Sequence, residues 1–122
     1  MLRFLQNILT LNCAPTKYGE APHKPVLLLA VLESFESCEI TENWIPITDS
    51  LLQRFYDLWK LLVKTDNVPN FSLPFYHLKN EKGGFWNLVT LPGKEIPTSN
   101  SNSIKSFRAL TDTVLAAKLS EE

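Results

Sequence analysis

The chain has few cysteines and no long apolar run. Its two cysteines, Cys13 and Cys38, have neither the CxxC spacing nor the matching histidine pair of a zinc site. A metal site and a disulfide scaffold therefore lack support, and a reducing cytoplasm is the simplest setting. No apolar stretch reaches the roughly 18 to 20 residues that span a bilayer, so we expect no membrane association. No small-residue cleavage site follows residues 1–12, which predicts an amphipathic helix there rather than a secretory signal.

Enzyme signatures are also missing. The sequence has no glycine-rich phosphate loop, nucleophile elbow or HExxH motif, and no segment resembles an HNH or PD-(D/E)xK nuclease core. His23 and His77 are the only imidazoles, whereas a nuclease needs a base and usually a metal held by carboxylates or histidines. We therefore expect a chain that is not an enzyme and binds no cofactor or metal. A small hydrolase acting through His23 or His77 is the rival hypothesis.

A basic excess is the third feature that the sequence lacks. Twelve Lys and Arg face thirteen Asp and Glu, and this net charge of -1 argues against a nonspecific binder of polyanions. The acids are unevenly distributed, because six of them lie in two short stretches: Glu33, Glu36, Glu39, Glu42, Glu121 and Glu122. We interpret the first four as a solvated face and turn. The other acids leave room for a locally basic surface elsewhere.

The apolar residues that are present predict one domain over residues 1–122. Helices are expected over residues 2–11 and through the apolar run 26–32, where Pro22 and Pro25 suit a first helical turn. A third helix, capped by Thr48 or Asp49, follows the three-and-four spacing of apolar residues up to Val63.

A small sheet and a closing helix complete the predicted fold. Residues 44–47 are β-like but contain Pro46, hence a sheet edge at best. Residues 79–84 are typical of a turn, residues 85–89 of a strand, and residues 92–103 of an exposed loop. The last helix is expected over residues 104–115, with Asn102 or Ser103 as its cap. The sum is a mainly helical α+β domain, winged-helix-like, with about four helices and a small antiparallel sheet.

Three segments carry candidate chemistry. Residues 18–25, Tyr-Gly-Glu-Ala-Pro-His-Lys-Pro, bring basic groups to a helix start that attracts anions, although simple helix initiation with solvated His23 and Lys24 is the plainer interpretation. Residues 73–78 and 84–86 hold aromatic and apolar side chains best explained as core, and His77 suits a hydrogen-bonded structural role. The polar loop 96–105 suits either base contacts or a plain connector.

Taken in order, these segments resemble a known family. An APHKP stretch followed by LLLAVL, then PF-x-HL, then GFW-x-L, resemble the sulfur-binding domain found beside HNH nuclease domains in type IV modification-dependent restriction enzymes. The resemblance spans roughly residues 15–110. It implies a noncatalytic module that binds phosphorothioate-modified double-stranded DNA, with a fused or associated nuclease domain as its partner. The alternative is a winged-helix-like domain that binds unmodified DNA or a protein.

The resemblance also implies roles for individual residues. A cup for the sulfur would be formed by Leu73, Pro74 and His77, because carbon atoms accept a large, weakly hydrated sulfur at little cost. Relatives often have arginine where Lys24 stands and a small apolar residue where His77 stands. The implied contacts to DNA phosphates are Tyr18, His23, Lys24, Lys105 and Arg108, and the implied base-reading loop is Ser99, Asn100, Ser101 and Asn102.

Overall fold

The structure is a computed structural model that describes residues 15–16, 19–81, 83–95 and 106–120. Within these ranges the helices are α1 (His23–Glu36), α2 (Asp49–Leu62), α3 (Ser72–His77) and α4 (Phe107–Thr113). The strands are β1 (Pro15–Thr16), β2 (Gly19–Glu20), β3 (Trp44–Pro46), β4 (Trp86–Thr90) and β5 (Val114–Leu119), and a 3-10 turn covers Leu78–Asn80. β1 pairs with β2, while β3, β5 and β4 form an antiparallel sheet in that order. The predicted α+β fold, with about four helices and a small antiparallel sheet, is confirmed; the helix predicted over residues 2–11 lies outside the described residues.

The helix α1 is the apolar centre of the domain. It begins directly after Pro22, carries Pro25 in its first turn, and buries Val26, Leu27, Leu28, Ala30 and Val31. A helix that is apolar over most of its surface is stable only when other elements cover it on several sides. α2 and α3 both pack against α1. The sequence-based prediction of a buried helix over residues 26–32 is therefore confirmed.

The helix α2 is amphipathic, as its spacing predicts. Its cap is Thr48, whose hydroxyl oxygen accepts a hydrogen bond from the Leu51 N–H at 3.1 Å. Leu51, Phe55 and Trp59 are its buried residues, Leu52 and Leu58 are partly buried and pack against the same core, and Gln53, Tyr56 and Asp57 are exposed. This helix also carries a basic residue that pairs with the acidic cluster at the end of α1, which consists of Glu33, Glu36, Glu39 and Glu42.

Arg54 of α2 is the residue that ties this acidic cluster to the second helix. Its guanidinium donates to the carboxylates of Glu39 at 3.0 Å and Glu33 at 3.3 Å. The hydrogen bond from Arg54 holds the pKa of Glu39 below its ordinary value. The acids thus lie on a solvated face and turn, as expected, but they also link α1 to α2.

The end of the chain differs from the prediction of one helix over residues 104–115. Helix α4 ends at Thr113, and Val114 and Leu115 begin strand β5. Its cap is Ser106, which accepts from the Ala109 N–H at 3.1 Å, whereas the predicted caps Asn102 and Ser103 lie outside the described residues. β5 becomes a strand because it is the central member of the sheet, with β3 on one side and β4 on the other. Backbone pairing along both edges outweighs a helical pattern that is only local.

The core joins the helices to the sheet. Phe75, Leu78, Phe85 and Trp86 are all buried, which confirms their prediction as core residues. The indole N–H of Trp86 donates to the carbonyl oxygen of Phe75 at 2.8 Å, and the two rings meet edge to face. α3 is therefore fixed to β4 by both a hydrogen bond and ring packing.

No helix in the described ranges is long and apolar enough to cross a membrane.

Candidate nucleic-acid interface

The helix α3 carries the three residues of the predicted sulfur cup. The side-chain oxygen of Asn70 accepts from the Leu73 N–H at 3.0 Å and so fixes the first turn of the helix. Leu73 and His77 are four residues apart, a spacing that brings their side chains to the same helical face, and both are half-buried. Pro74 is buried, so only a small part of its ring reaches the surface. The apolar surface next to His77 therefore comes mainly from Leu73.

His77 is held in its neutral form. Burial lowers the pKa of its imidazole below the ordinary value, and the nearby charges of Lys79 and Lys24 lower that pKa further. The Asn80 amide donates to Nδ1 of His77 at 3.5 Å, which leaves Nε2 as the protonated nitrogen of the neutral ring. At neutral pH this side chain presents a largely carbon surface with one N–H donor and no charge.

Lys24 lies close enough to His77 to influence its titration, although it belongs to the first turn of α1. Its ammonium is 2.5 Å from a carboxylate oxygen of Glu81, in the turn that follows α3. The Glu81 side chain is only 4% exposed and that of Lys24 19% exposed, so the carboxylate lies inside and the ammonium nearer the surface. The structure thus brings Lys24 and the cup together, but Lys24 is already paired with an acid.

His23 contacts the segment between α2 and α3. Its Nε2–H donates to the carbonyl oxygen of Val68 at 2.8 Å, and its ring lies 4.7 Å from that of Trp59. The plainer expectation, in which His23 and Lys24 are simply solvated, is wrong for both residues. His23 fixes the loop before α3, and with Nε2 engaged, its remaining nitrogen Nδ1 is an acceptor in the neutral ring.

Lys79 is a cation that the sequence analysis did not single out. Its ammonium lies 4.7 Å from the centre of the Tyr76 ring and donates to the side-chain oxygen of Asn80 at 3.1 Å. Its charge also acts on His77. The only signal in the sequence was its position three residues after Tyr76, and the structure places it in the 3-10 turn that follows α3. Lys79 thus supplies positive charge beside the cup.

Arg108 is exposed in the first turn of α4. The neighbouring Phe107 contacts Phe71, just before α3, with ring centres 6.3 Å apart. Among the described residues the guanidinium has no ion-pair or hydrogen-bond partner, so its charge is available on this side of the domain. The other residues implied by the resemblance lie outside the described residues: Tyr18, Ser99, Asn100, Ser101, Asn102 and Lys105.

Comparison with known proteins does not assign a function, so any assignment rests on the chain's own residues. No family model and no curated protein matches the sequence. The described residues contain no group of three or more His, Cys, Asp or Glu side chains arranged to hold a metal ion.

The described part of the candidate interface combines an uncharged surface with positively charged groups. Leu73 and His77 provide a half-buried surface on one face of α3, and the lowered pKa of His77 favours its uncharged form. Lys24 and Lys79 provide positive charge beside it, the first balanced by Glu81. Such a combination can hold a monoanion that has one soft, weakly hydrated atom, because the soft atom contacts carbon while the remaining oxygen faces an ammonium.

Proposed function

We propose that this chain is a noncatalytic DNA-binding module that recognises a phosphorothioate in double-stranded DNA, acting as the recognition domain for a fused or associated nuclease. The observation that carries the proposal is the half-buried helical face formed by Leu73 and His77, with the Lys24 ammonium near enough to act on the His77 imidazole. The sequence resemblance to sulfur-binding domains supports the same function. A cytoplasmic location is part of the same proposal.

Selection of sulfur over oxygen has a physical basis at Leu73 and His77. A phosphate oxygen that is pressed against carbon loses hydrogen bonds to water and gains none, which costs free energy. Sulfur is larger and holds water less strongly, so the same contact costs little and gains dispersion energy. A charged imidazole would attract both groups by their shared negative charge and weaken this preference. The lowered pKa of His77 therefore favours selectivity.

The remaining roles divide between affinity and sequence preference. Lys79 and Arg108 would contact phosphates, while the charge of Lys24 is partly neutralised by its ion pair with Glu81. Tyr18 and Lys105 would complete the phosphate contacts that the resemblance implies, whereas His23, which the resemblance also implies, uses its Nε2–H on the Val68 carbonyl oxygen. The loop Ser99 to Asn102 would read base edges through its amide and hydroxyl groups.

The deciding experiment compares a duplex that bears one stereodefined phosphorothioate with its unmodified twin. We expect the wild-type chain to bind the modified duplex at least tenfold more tightly, measured for both stereoisomers at fixed salt. Leu73→Asn replaces the apolar wall by a polar group of similar size without adding charge. This variant should lose most of the preference, since about 1 kcal/mol of apolar burial corresponds to several-fold in affinity.

A matched control is Leu61→Asn, which makes the same replacement at a leucine of α2 that is 65% exposed. It should retain the preference of the wild type. Equal affinity of the wild type for the two duplexes would contradict sulfur recognition and favour a domain that binds ordinary DNA. No binding of either duplex would favour a protein partner. Strand breaks after incubation with modified DNA and divalent metal would instead favour a hydrolase.

A further inference from the structure

Three exposed side chains form one row across the antiparallel sheet. Trp44 of β3 is paired with Lys118 of β5, and Lys118 is paired with Asn87 of β4. Side chains alternate between the two faces of a sheet, and the adjacent residues of the three strands contact the hydrophobic core: Ile45, Ala117 and Leu88. The row therefore lies on the face of the sheet that points away from the core.

Trp44 presents an aromatic surface at one end of this row. Its side chain is 39% exposed and takes no part in the hydrophobic core. A shallow depression of about 610 Å³ lies beside it and is lined by Thr41, Glu42, Asn43, Trp44 and Lys118. An exposed indole can stack on a flat nucleobase, and the Glu42 carboxylate can accept hydrogen bonds from the N–H groups of that base.

A second depression of about 500 Å³ adjoins the first, because Lys118 and Asn43 line both. None of the described residues that line it is acidic, and Lys118 forms no ion pair within the described part of the chain. The Lys118 ammonium and the hydroxyl of Ser120 can therefore both donate to an anion here.

Asn87 borders the same depression in a fixed orientation. Its amide nitrogen donates to the carbonyl oxygens of Gly84 at 3.2 Å and Lys118 at 3.3 Å. Because the nitrogen is used within the sheet, the amide oxygen is the atom that a ligand can reach. This oxygen can accept a hydrogen bond from a sugar hydroxyl.

We propose that this row is a binding site for a guanine nucleotide, either free or unpaired in a nucleic-acid strand. The base stacks on Trp44, and its ring N–H and amino group face the two oxygens of Glu42. The phosphate contacts Lys118 and Ser120, and the sugar lies near Asn87. Guanine fits because its two neighbouring donors match a carboxylate. A phosphate beside Glu42 meets a like charge, so the charges at the two ends allow only one orientation.

The test is a titration of the isotope-labelled chain with guanosine monophosphate, followed by nuclear magnetic resonance. We expect the indole N–H signal of Trp44 to shift, while those of Trp59 and Trp86, which are 7% and 1% exposed, remain unchanged as internal references. Uridine monophosphate has no amino group. It should bind at least about fivefold more weakly, the lower end of what one bidentate contact discriminates.

Trp44→Leu removes the stacking surface and should weaken the binding of guanosine monophosphate at least about fivefold, measured through the backbone amide signals of β5. The matched control is Tyr56→Leu, because Tyr56 is an aromatic residue of α2 that is 40% exposed. This control should retain the affinity of the wild type. Equal affinities of the wild type and Trp44→Leu would overturn the proposal.

Two charge variants test the two ends of the site. Lys118→Gln should weaken the binding of guanosine monophosphate but not that of guanosine, which has no phosphate. Glu42→Gln should reduce the preference for guanosine monophosphate over uridine monophosphate. The controls are Lys60→Gln and Glu36→Gln, which make the same charge changes at exposed residues of α2 and α1 and should have no effect.

Single-stranded pentanucleotides identify the source of the nucleotide. Binding of guanosine monophosphate but not of TTGTT supports a free nucleotide, and tighter binding of TTGTT than of TTTTT supports an unpaired guanine in a strand. The proposal is wrong if neither guanine probe shifts the Trp44 signal, or if the uracil and thymine probes bind as tightly as the guanine probes. No probe contains a duplex or sulfur, so this outcome is independent of the proposed function.

Discussion

At the scale of single residues, His77 couples the candidate interface to pH. Its pKa is lowered mainly by burial and additionally by Lys79 and Lys24, so folding favours the neutral imidazole. The unfolded chain binds this proton near the ordinary value of 6.5, and the folded chain only at lower pH. The stability that depends on a neutral His77 is therefore present above about pH 6.5 and is lost as the pH falls toward the lowered pKa.

We predict that His77→Gln makes stability less dependent on pH in this window. Glutamine cannot take up a proton, so the loss of unfolding free energy between about pH 7.5 and about pH 5.5 should be smaller than in the wild type. Urea unfolding at the two pH values measures the difference. Lys79→Gln should reduce the slope only partly, because burial is the larger cause. An unchanged slope in His77→Gln would show that this residue does not titrate differently in the two states.

At the scale of elements, the start of α2 depends on one side chain. Thr48 is in extended conformation, and its hydroxyl oxygen satisfies the otherwise unpaired N–H of Leu51. We predict that Thr48→Ala lowers the free energy of unfolding by about 1 kcal/mol, the usual cost of losing such a cap. Thr48→Ser keeps the hydroxyl and should change stability by only a few tenths of a kcal/mol. Equal losses in the two variants would mean that the methyl group matters more than the hydrogen bond.

The elements that the sequence predicts well are those whose signals are local. The buried run of α1, the cap and spacing of α2, and the edge strand limited by Pro46 all lie within short windows. Strand β5 was missed because Val114 and Leu115 also fit the helical spacing that starts from Leu110. The local pattern therefore predicted a longer helix. Its partners β3 and β4 decide its conformation, and β3 lies about seventy residues earlier in the chain.

The candidate site divides in the same way between local and distant contacts. Leu73, Pro74 and His77 were grouped through the resemblance to sulfur-binding domains, and the structure places all three on the short helix α3. The pairing of Lys24 with Glu81 spans 57 residues, and that of His23 with Val68 spans 45. No periodicity connects positions so far apart, and composition could only suggest that both bases were solvated. The partners of the bases, which decide the electrostatics of the site, therefore required the structure.

At the scale of the whole molecule, the candidate interface depends on a core shared by helices and sheet. α3 rests on Phe75, which contacts Phe71 on one side and Trp86 of β4 on the other. Trp86 is 1% exposed and also donates its indole N–H to the Phe75 carbonyl oxygen. Because the same residues hold α3 and form the centre of the core, we expect the cup and the sheet to unfold together.

We therefore predict that Trp86→Phe lowers the free energy of unfolding by about 2–3 kcal/mol, since it removes a buried hydrogen bond and leaves a cavity. Trp44→Phe, the same change at a tryptophan 39% exposed on edge strand β3, should cost less than about 1 kcal/mol. Denaturation followed by circular dichroism measures both variants. Amide hydrogen exchange should show protection falling together in α3 and β5 of Trp86→Phe. A loss of protection confined to α3 would mean that this helix unfolds independently of the sheet. The order of the cup would then depend on the packing of α3 against α1 and not on the sheet.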